Sequence, residues 1–303
     1  MPNWKEVLGK VQAIGTAHDV IRRDALRELA DTTGRNVIVY YSGWLQKPDL
    51  VRRGMQGFDI NDSDKSSFMA TIHGLDRAKG LDLVLHTPGG EIAATESLVH
   101  YLRQMFGNNI RAIVPQIAMS GGTMIACACK EILMGKHSNI GPIDPQFGGI
   151  PAHGIVEEFA RAKTEIAKDP KAIPVWQPII ARYHPTLIGE CEKAIMWSEQ
   201  IVREWLRTGM LSSKASARAK AIENRIIQEL GSHALTLSHA RHITRDQARD
   251  MGLVITDIEH PNELQDAILT VHHACILTLQ LTNAFKIVEN HQGTAQILSA
   301  VPT

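Results

Sequence analysis

Only four cysteines occur in 303 residues, Cys127, Cys129, Cys191 and Cys275. They stand in apolar or helical text, without the paired spacings of a zinc site or a disulfide framework, and so fit a reducing, cytoplasmic compartment. No charge sign is in excess: Lys+Arg and Asp+Glu are 32 each. Neither nucleic acid nor an anionic membrane surface is therefore advertised as a partner. No apolar run approaches the roughly 18 to 20 residues of a membrane span. The best stretch, 274–288, is broken by Thr278, Gln280, Asn283 and Lys286. The opening residues Met1-Pro2-Asn3-Trp4-Lys5 lead into amphipathic text with no apolar signal core, so no secretory signal is expected. The 14 histidines offer no pair at helical spacing with a carboxylate partner, and neither a metal site nor a cofactor is expected.

What is present is a chain with 44% hydrophobic residues, enough for one large core with an attached smaller part. It is organised around Gln116-Ile117-Ala118-Met119-Ser120-Gly121-Gly122-Thr123-Met124. Residues 110–115 read as a short buried strand and 123–129 as a buried helix, which puts Ser120 at a strand-to-helix junction. Two readings fit. Ser120 is an ordinary helix cap, or its hydroxyl is presented as a nucleophile beside the unpaired N–H groups of a helix start. Upstream, the strand Leu81-Asp82-Leu83-Val84-Leu85-His86 breaks at Thr87-Pro88-Gly89-Gly90 before a helix near Glu91. Two successive strand-turn-helix units place both glycine turns at the carboxyl edge of a parallel sheet, where open α/β sheets bind ligands. One turn would supply the nucleophile and the other an oxyanion N–H.

Thr87-Pro88-Gly89-Gly90 followed by Ala118-Met119-Ser120-Gly121-Gly122 resembles the Clp-protease and signal-peptide-peptidase (SppA-type) superfamily, and within it the serine dehydrogenase proteinases. The resemblance spans roughly residues 36 to 256. It implies an α/β crotonase-like (ClpP/SppA) spiral with parallel strands, flanking helices and helical additions. It further implies a serine peptidase acting on peptide or protein substrates, with Ser120 as nucleophile. The oxyanion donors would be the N–H of Gly121 and that of Gly89 or Gly90. Where Clp proteases carry a histidine base, this chain carries Asp144, which points to the SppA-type Ser-Lys dyad. Lys163 matches the place of that lysine, on a helix beyond the site loop, and an apolar stripe of Ile155, Phe159, Ala162 and Ile166 adjoins it. His233, His239 and His242 are alternative bases, and Asp144 is an orienting group or a turn cap. Two rival readings share the fold: an acyl-CoA hydrolase or hydratase, and a non-catalytic interaction module.

Around these motifs, residues 1–35 read as an N-terminal helical segment, 36–258 as the catalytic domain with a helical insertion at about 185–232, and 259–303 as a helical tail with a mobile end. Residues 43–61 and 174–185 read as loops, and Asp62 as the cap of a helix over 64–77. Thr244 and Gly252 bound a short helix resembling the signature that closes SppA and crotonase domains. Trp197, Trp205 and Leu206 on the added helices suggest a homo-oligomer.

Overall fold

The computed structural model describes residues 15–231 and 240–300. In chain order the helices are α1 (Ala17–Thr33), α2 (Pro48–Arg52), α3 (Ser63–Ile72), α4 (Ile92–Phe106), α5 (Gly121–Cys127), α6 (Ala152–Lys168), α7 (Ile173–Ile180), α8 (Leu187–Thr208), α9 (Ser216–Gly231), α10 (Arg245–Met251) and α11 (Asn262–Leu281). The strands are β1 (Asn36–Ser42), β2 (Leu81–His86), β3 (Ile110–Val114), β4 (Ile117–Ala118), β5 (Glu131–Met134), β6 (Asn139–Ile140), β7 (Gln146–Phe147), β8 (Ile150–Pro151), β9 (Ile243–Thr244), β10 (Ile255–Asp257), β11 (Ala284–Asn290) and β12 (Ala295–Ser299).

A seven-stranded sheet runs in the order β10-β5-β3-β2-β1-β11-β12. Its first five strands are mutually parallel, β11 joins β1 antiparallel, and β12 joins β11 antiparallel at the edge. Side chains alternate across β1: Ile38 and Tyr40 enter the core under α4, α5 and α8, whereas Val37, Val39 and Tyr41 pack toward α1 and α11. The β-branched run thus becomes a strand buried on both faces, as parallel sheets require. A small second sheet, β4-β6-β9, stands at the carboxyl end of the main one. This is the α/β spiral that the sequence resemblance implies. It sets Thr87–Gly90 and Met119–Gly122 side by side, because β4 continues past β2 and Thr87 bridges Ala118.

Several local expectations are corrected. The C-terminal segment is helical only over α11 (Asn262–Leu281) and does not stay so to its end. After α11 it turns into β11 and β12, which extend the main sheet. Lys286 reads as a polar break, yet all seven residues of β11 are buried, and its side chains Lys286, Glu289 and Asn290 each find a partner. Arg22 of α1 pairs with Glu289, Lys286 bonds Asp64, and the Asn290 side chain donates to Thr71 O at 2.7 Å. Residues 173–180 form α7 although two prolines lie in it: Pro174 sits in its first turn, where no N–H is needed, and Pro178 lies inside the helix. Asp62 does not cap α3; Asn61 Oδ1 accepts from Ser63 N at 3.0 Å instead. Trp205 and Leu206 are buried in their own chain, which leaves Trp197 and Met196 as the exposed apolar residues of α8. The capping box of Thr244 with Gln247 and the left-handed Gly252 bound α10 as expected. His233 and His239 lie outside the described residues. No helix among the described residues is long and apolar enough to cross a membrane.

Candidate active site

Met119 to Gly122 form a tight turn in which Gly122 N donates to Met119 O at 2.7 Å. Ser120 occupies its second position with φ 48° and ψ −115°. Among the described residues it is the one non-glycine residue with positive φ. A hairpin-type turn of this kind asks for glycine there, and a side chain held in that region costs roughly 1–3 kcal/mol. The capping reading fails on geometry: Ser120 O accepts from Met124 N at 3.0 Å and opens the helix, but the side chain makes no cap hydrogen bond. Thr123 does the local bonding instead, donating through Oγ1 to Ala118 O at 2.9 Å. The serine hydroxyl is thereby lifted clear of the backbone at the start of α5, where N–H groups lack intrahelical partners.

The second glycine turn packs directly on the serine. A Cβ placed on Gly89 would come within 2.6 Å of Ser120 Cβ and 2.8 Å of Gly121 N. One placed on Gly121 would stand 3.3 Å from Gly90 N and 2.8 Å from Thr95 Oγ1. Only glycine permits this approach. The two turn glycines have different duties. Gly89 N donates to Thr87 Oγ1 at 3.1 Å, and Gly89 O accepts from Ile60 N at 2.7 Å. Ile60 O accepts in turn from Glu91 N at 2.9 Å. These bonds hold the backbone on either side of Gly90, and the Gly90 and Gly121 N–H groups are left beside Ser120.

Ser120 opens into a cleft of about 620 Å³ lined by Pro88, Gly90, Glu91, Ile143, Asp144, Phe147 and, from α8, Trp197. An adjoining cavity of about 640 Å³ shares Asp59, Gly90, Glu91 and Gln146 with it and continues toward Phe285 and Leu298. The two cavities are contiguous at these shared residues. The Asp59–Ile60 wall escaped the sequence reading, because its pairing with Gly89–Glu91 is long-range and carries no local signal.

Of the sequence-derived site residues, Ser120, Gly89, Gly90 and Gly121 converge, and Asp144, buried, lines the same cleft. Lys163 does not join them. The apolar stripe of α6 packs Ala152, Ile155 and Phe159 against Cys191 and Ile195 of α8, and Lys163 is turned to solvent. His242 is exposed and lines a separate cavity of about 410 Å³ with Trp44, Pro88, Met119 and His137.

Beneath the Thr87 turn lies an unexpected aromatic stack. His86 sits between Tyr41 and Trp44, with ring centroids at 5.3 and 4.6 Å, and against His272 at 5.7 Å. Neither His86 ring nitrogen has a hydrogen-bond partner. Burial pushes the His86 imidazole down to about 3 and that of His272 to about 4, so both are neutral supports of the turn at ordinary pH.

The sequence profile of the ClpP-like SDH-type serine proteinases matches residues 11–273. Two relatives from Methanocaldococcus jannaschii are similar: uncharacterized protein MJ0137, 30% identical over 206 residues covering 68% of this chain and 63% of the relative, and uncharacterized protein MJ1495, 31% identical over 175 residues covering 58% and 51%. This chain thus spans less than two thirds of the length of these curated relatives. A structure of the membrane-bound stomatin-specific protease 1510-N, in mutant form, superposes with a TM-score of 0.39 at 19% identity, covering 69% of this chain and 79% of that one. With the profile covering most of the chain and the paired glycine turns meeting at Ser120, the protein belongs to the ClpP-like SDH-type serine proteinases.

Proposed function

We propose that the protein hydrolyses peptide bonds by acylation of Ser120. The observation that carries this reading is a strained serine whose hydroxyl makes no cap bond, set in a groove beside two N–H groups. Ser120 Oγ attacks the carbonyl carbon, and the oxyanion that forms accepts from Gly90 N–H and Gly121 N–H. Gly90 is preferred to Gly89 because the Gly89 N–H is already donated to Thr87 Oγ1. Such preorganised donors are worth roughly 10²–10³ in rate each. The Ile60 side of Gly89–Glu91 is occupied by the chain itself, so an extended substrate pairs with Gly90 from the cleft side. Hydrolysis of fluorescein-labelled casein by the parent protein, with none by Ser120→Ala, is the expected outcome; turnover by a folded Ser120→Ala variant would remove the proposal.

The base we propose is Lys163. In the conformation described, it reaches Ser120 only if α6 moves. That helix follows directly on the cleft wall, with Ala152 N donating to Pro145 O at 2.9 Å, and rests on a satellite core whose fully buried members are Ala152, Ile155 and Cys191. A core this small opens at lower cost than the main one. Asp144 supports a second assignment, since it shares the cleft with Ser120 in the structure as it stands. Lys163→Met and Asp144→Asn separate the two. With Lys163 as base, the methionine variant should lose roughly 10²–10⁴ in kcat, whereas His242→Ala keeps most of the parent rate. If Lys163→Met is fully active and Asp144→Asn is dead, the lysine is discarded.

A homo-oligomer is proposed on narrower grounds than the sequence suggested. Trp197 and Met196 on α8, with Ile173, Val175 and Ile179 of α7, leave a set of large apolar side chains exposed, as interaction surfaces do. Sedimentation at micromolar concentration should show a closed assembly, and Trp197→Glu should shift it toward monomer. A parent that sediments as a monomer contradicts this.

A further inference from the structure

Lys286 lies on β11, beyond the residues that match the family profile. It is 1% exposed, an unusual place for a lysine, and all three of its ammonium hydrogen bonds go to one short segment and the helix that follows. Its Nζ donates to Asp59 O at 2.8 Å and to the two carboxylate oxygens of Asp64 at 2.9 and 3.1 Å. Asp64 Oδ2 accepts in addition from Asn61 N at 3.0 Å and from Tyr40 OH at 2.8 Å. The ammonium also stands 5.4 Å from the centre of the Tyr40 ring. Residues 59 and 61 are therefore both fastened to one buried ion pair. Between them is Ile60, whose N and O are the groups that grip Gly89 O and Glu91 N around Gly90.

We propose that Lys286, through Asp64 and the Asp59–Asn61 segment, is a positioning residue that aims the Gly90 N–H at the oxyanion of Ser120. The chemical role rests on the peptidase reading above; the mechanical role does not. The C-terminal hairpin of β11 and β12 is then a working part of the active site. Losing Lys286 removes the partner of Asp59 O and strands the Asp64 carboxylate in the interior, where an unpaired charge is costly. Ile60 loses its fixed register, and with it the turn whose N–H must be in place before the reaction begins.

Two variants keep the test decisive. Lys286→Met deletes the ammonium, and the double variant Lys286→Met/Asp64→Asn also removes the charge left behind, so that a folded protein is obtained where the single variant is too unstable. Amide hydrogen exchange is followed for Ile60 and Glu91, with Ile38 and Leu83 in the sheet as internal standards. Exchange at Ile60 and Glu91 is expected to rise ~10-fold or more with the standards unchanged, as for a local opening. Peptide hydrolysis should fall ~10-fold or more in kcat with KM within about two-fold of the parent, because the turn acts on the transition state. A merely structural lysine would lower the melting temperature and leave kcat of the folded protein alone. Unchanged exchange at Ile60 and Glu91, or a double variant with parental kcat, overturns the proposal. The exchange arm needs no turnover. Faster exchange in a protein whose parent cleaves no peptide would uphold the clamp and sink the peptidase reading.

Discussion

Replacing Ser120 by glycine is expected to give an inactive protein that is more heat-stable than the parent. At φ 48° and ψ −115° the serine backbone sits where glycine is at ease and other residues are not. Relief of that strain contributes roughly 1–3 kcal/mol, offset by about 0.5–1 kcal/mol for the greater freedom of glycine in the unfolded chain. The remainder should raise the melting temperature by about 2–4 °C per kcal/mol in a domain of this size. Ser120→Ala is the control. Alanine keeps Cβ and therefore the strain, so its stability should stay near the parent value, while activity falls by roughly four to six orders of magnitude in both variants. A glycine variant less stable than the alanine variant would mean that the turn stores no strain and that the serine is not held out at a cost. Strain retained at one residue is a mark of a site whose geometry serves function.

Acid should destabilise this protein well before its carboxylates are titrated. His86 and His272 are held at about 3 and about 4 by burial, against about 6.5 in an unfolded chain. Below that unfolded value the unfolded chain takes up protons that the folded chain refuses. The stability associated with the neutral pair is therefore complete above about pH 6.5 and is lost as pH falls toward the folded values. At about 1.4 kcal/mol per pH unit for each group, the two together cost up to roughly 4 kcal/mol by pH 5. That is a large share of a total of about 5–15 kcal/mol. Urea denaturation at pH 7.5, 6 and 5 measures it. His86→Leu, of similar bulk, loses the stack on Tyr41 and Trp44 at every pH equally, so its offset is constant, while its slope against pH should be about half that of the parent. Parallel curves for the two proteins would show that His86 takes no part.

The parallel part of the sheet was legible because β1, β2 and β3 are buried on both faces and spell themselves in aliphatic and aromatic runs. The serine turn was legible because two glycine pairs at strand ends are a local signal. What failed was each feature that depends on a distant partner. β11 looks like a broken helix until Asp64, Arg22 and Thr71 are seen to satisfy Lys286, Glu289 and Asn290. The choice between Gly89 and Gly90 needs the Thr87 hydroxyl bond, and the cap reading of Ser120 needs its φ. Lys163 adjoins an apolar stripe as its spacing suggests, but that stripe faces α8 and not the cleft at Ser120. Sequence periodicity fixes which residues share a face; it does not name the neighbour that the face meets.

The central claim is that Ser120 is an activated nucleophile in this groove. The most direct measurement is reaction of the parent protein with a biotinylated fluorophosphonate, followed by intact-mass analysis and peptide mapping. One phosphonyl group per chain on Ser120 is expected, with no labelling of Ser120→Ala and none after heat denaturation. A folded, fluorophosphonate-inert parent, or a label that persists in Ser120→Ala, would contradict the claim.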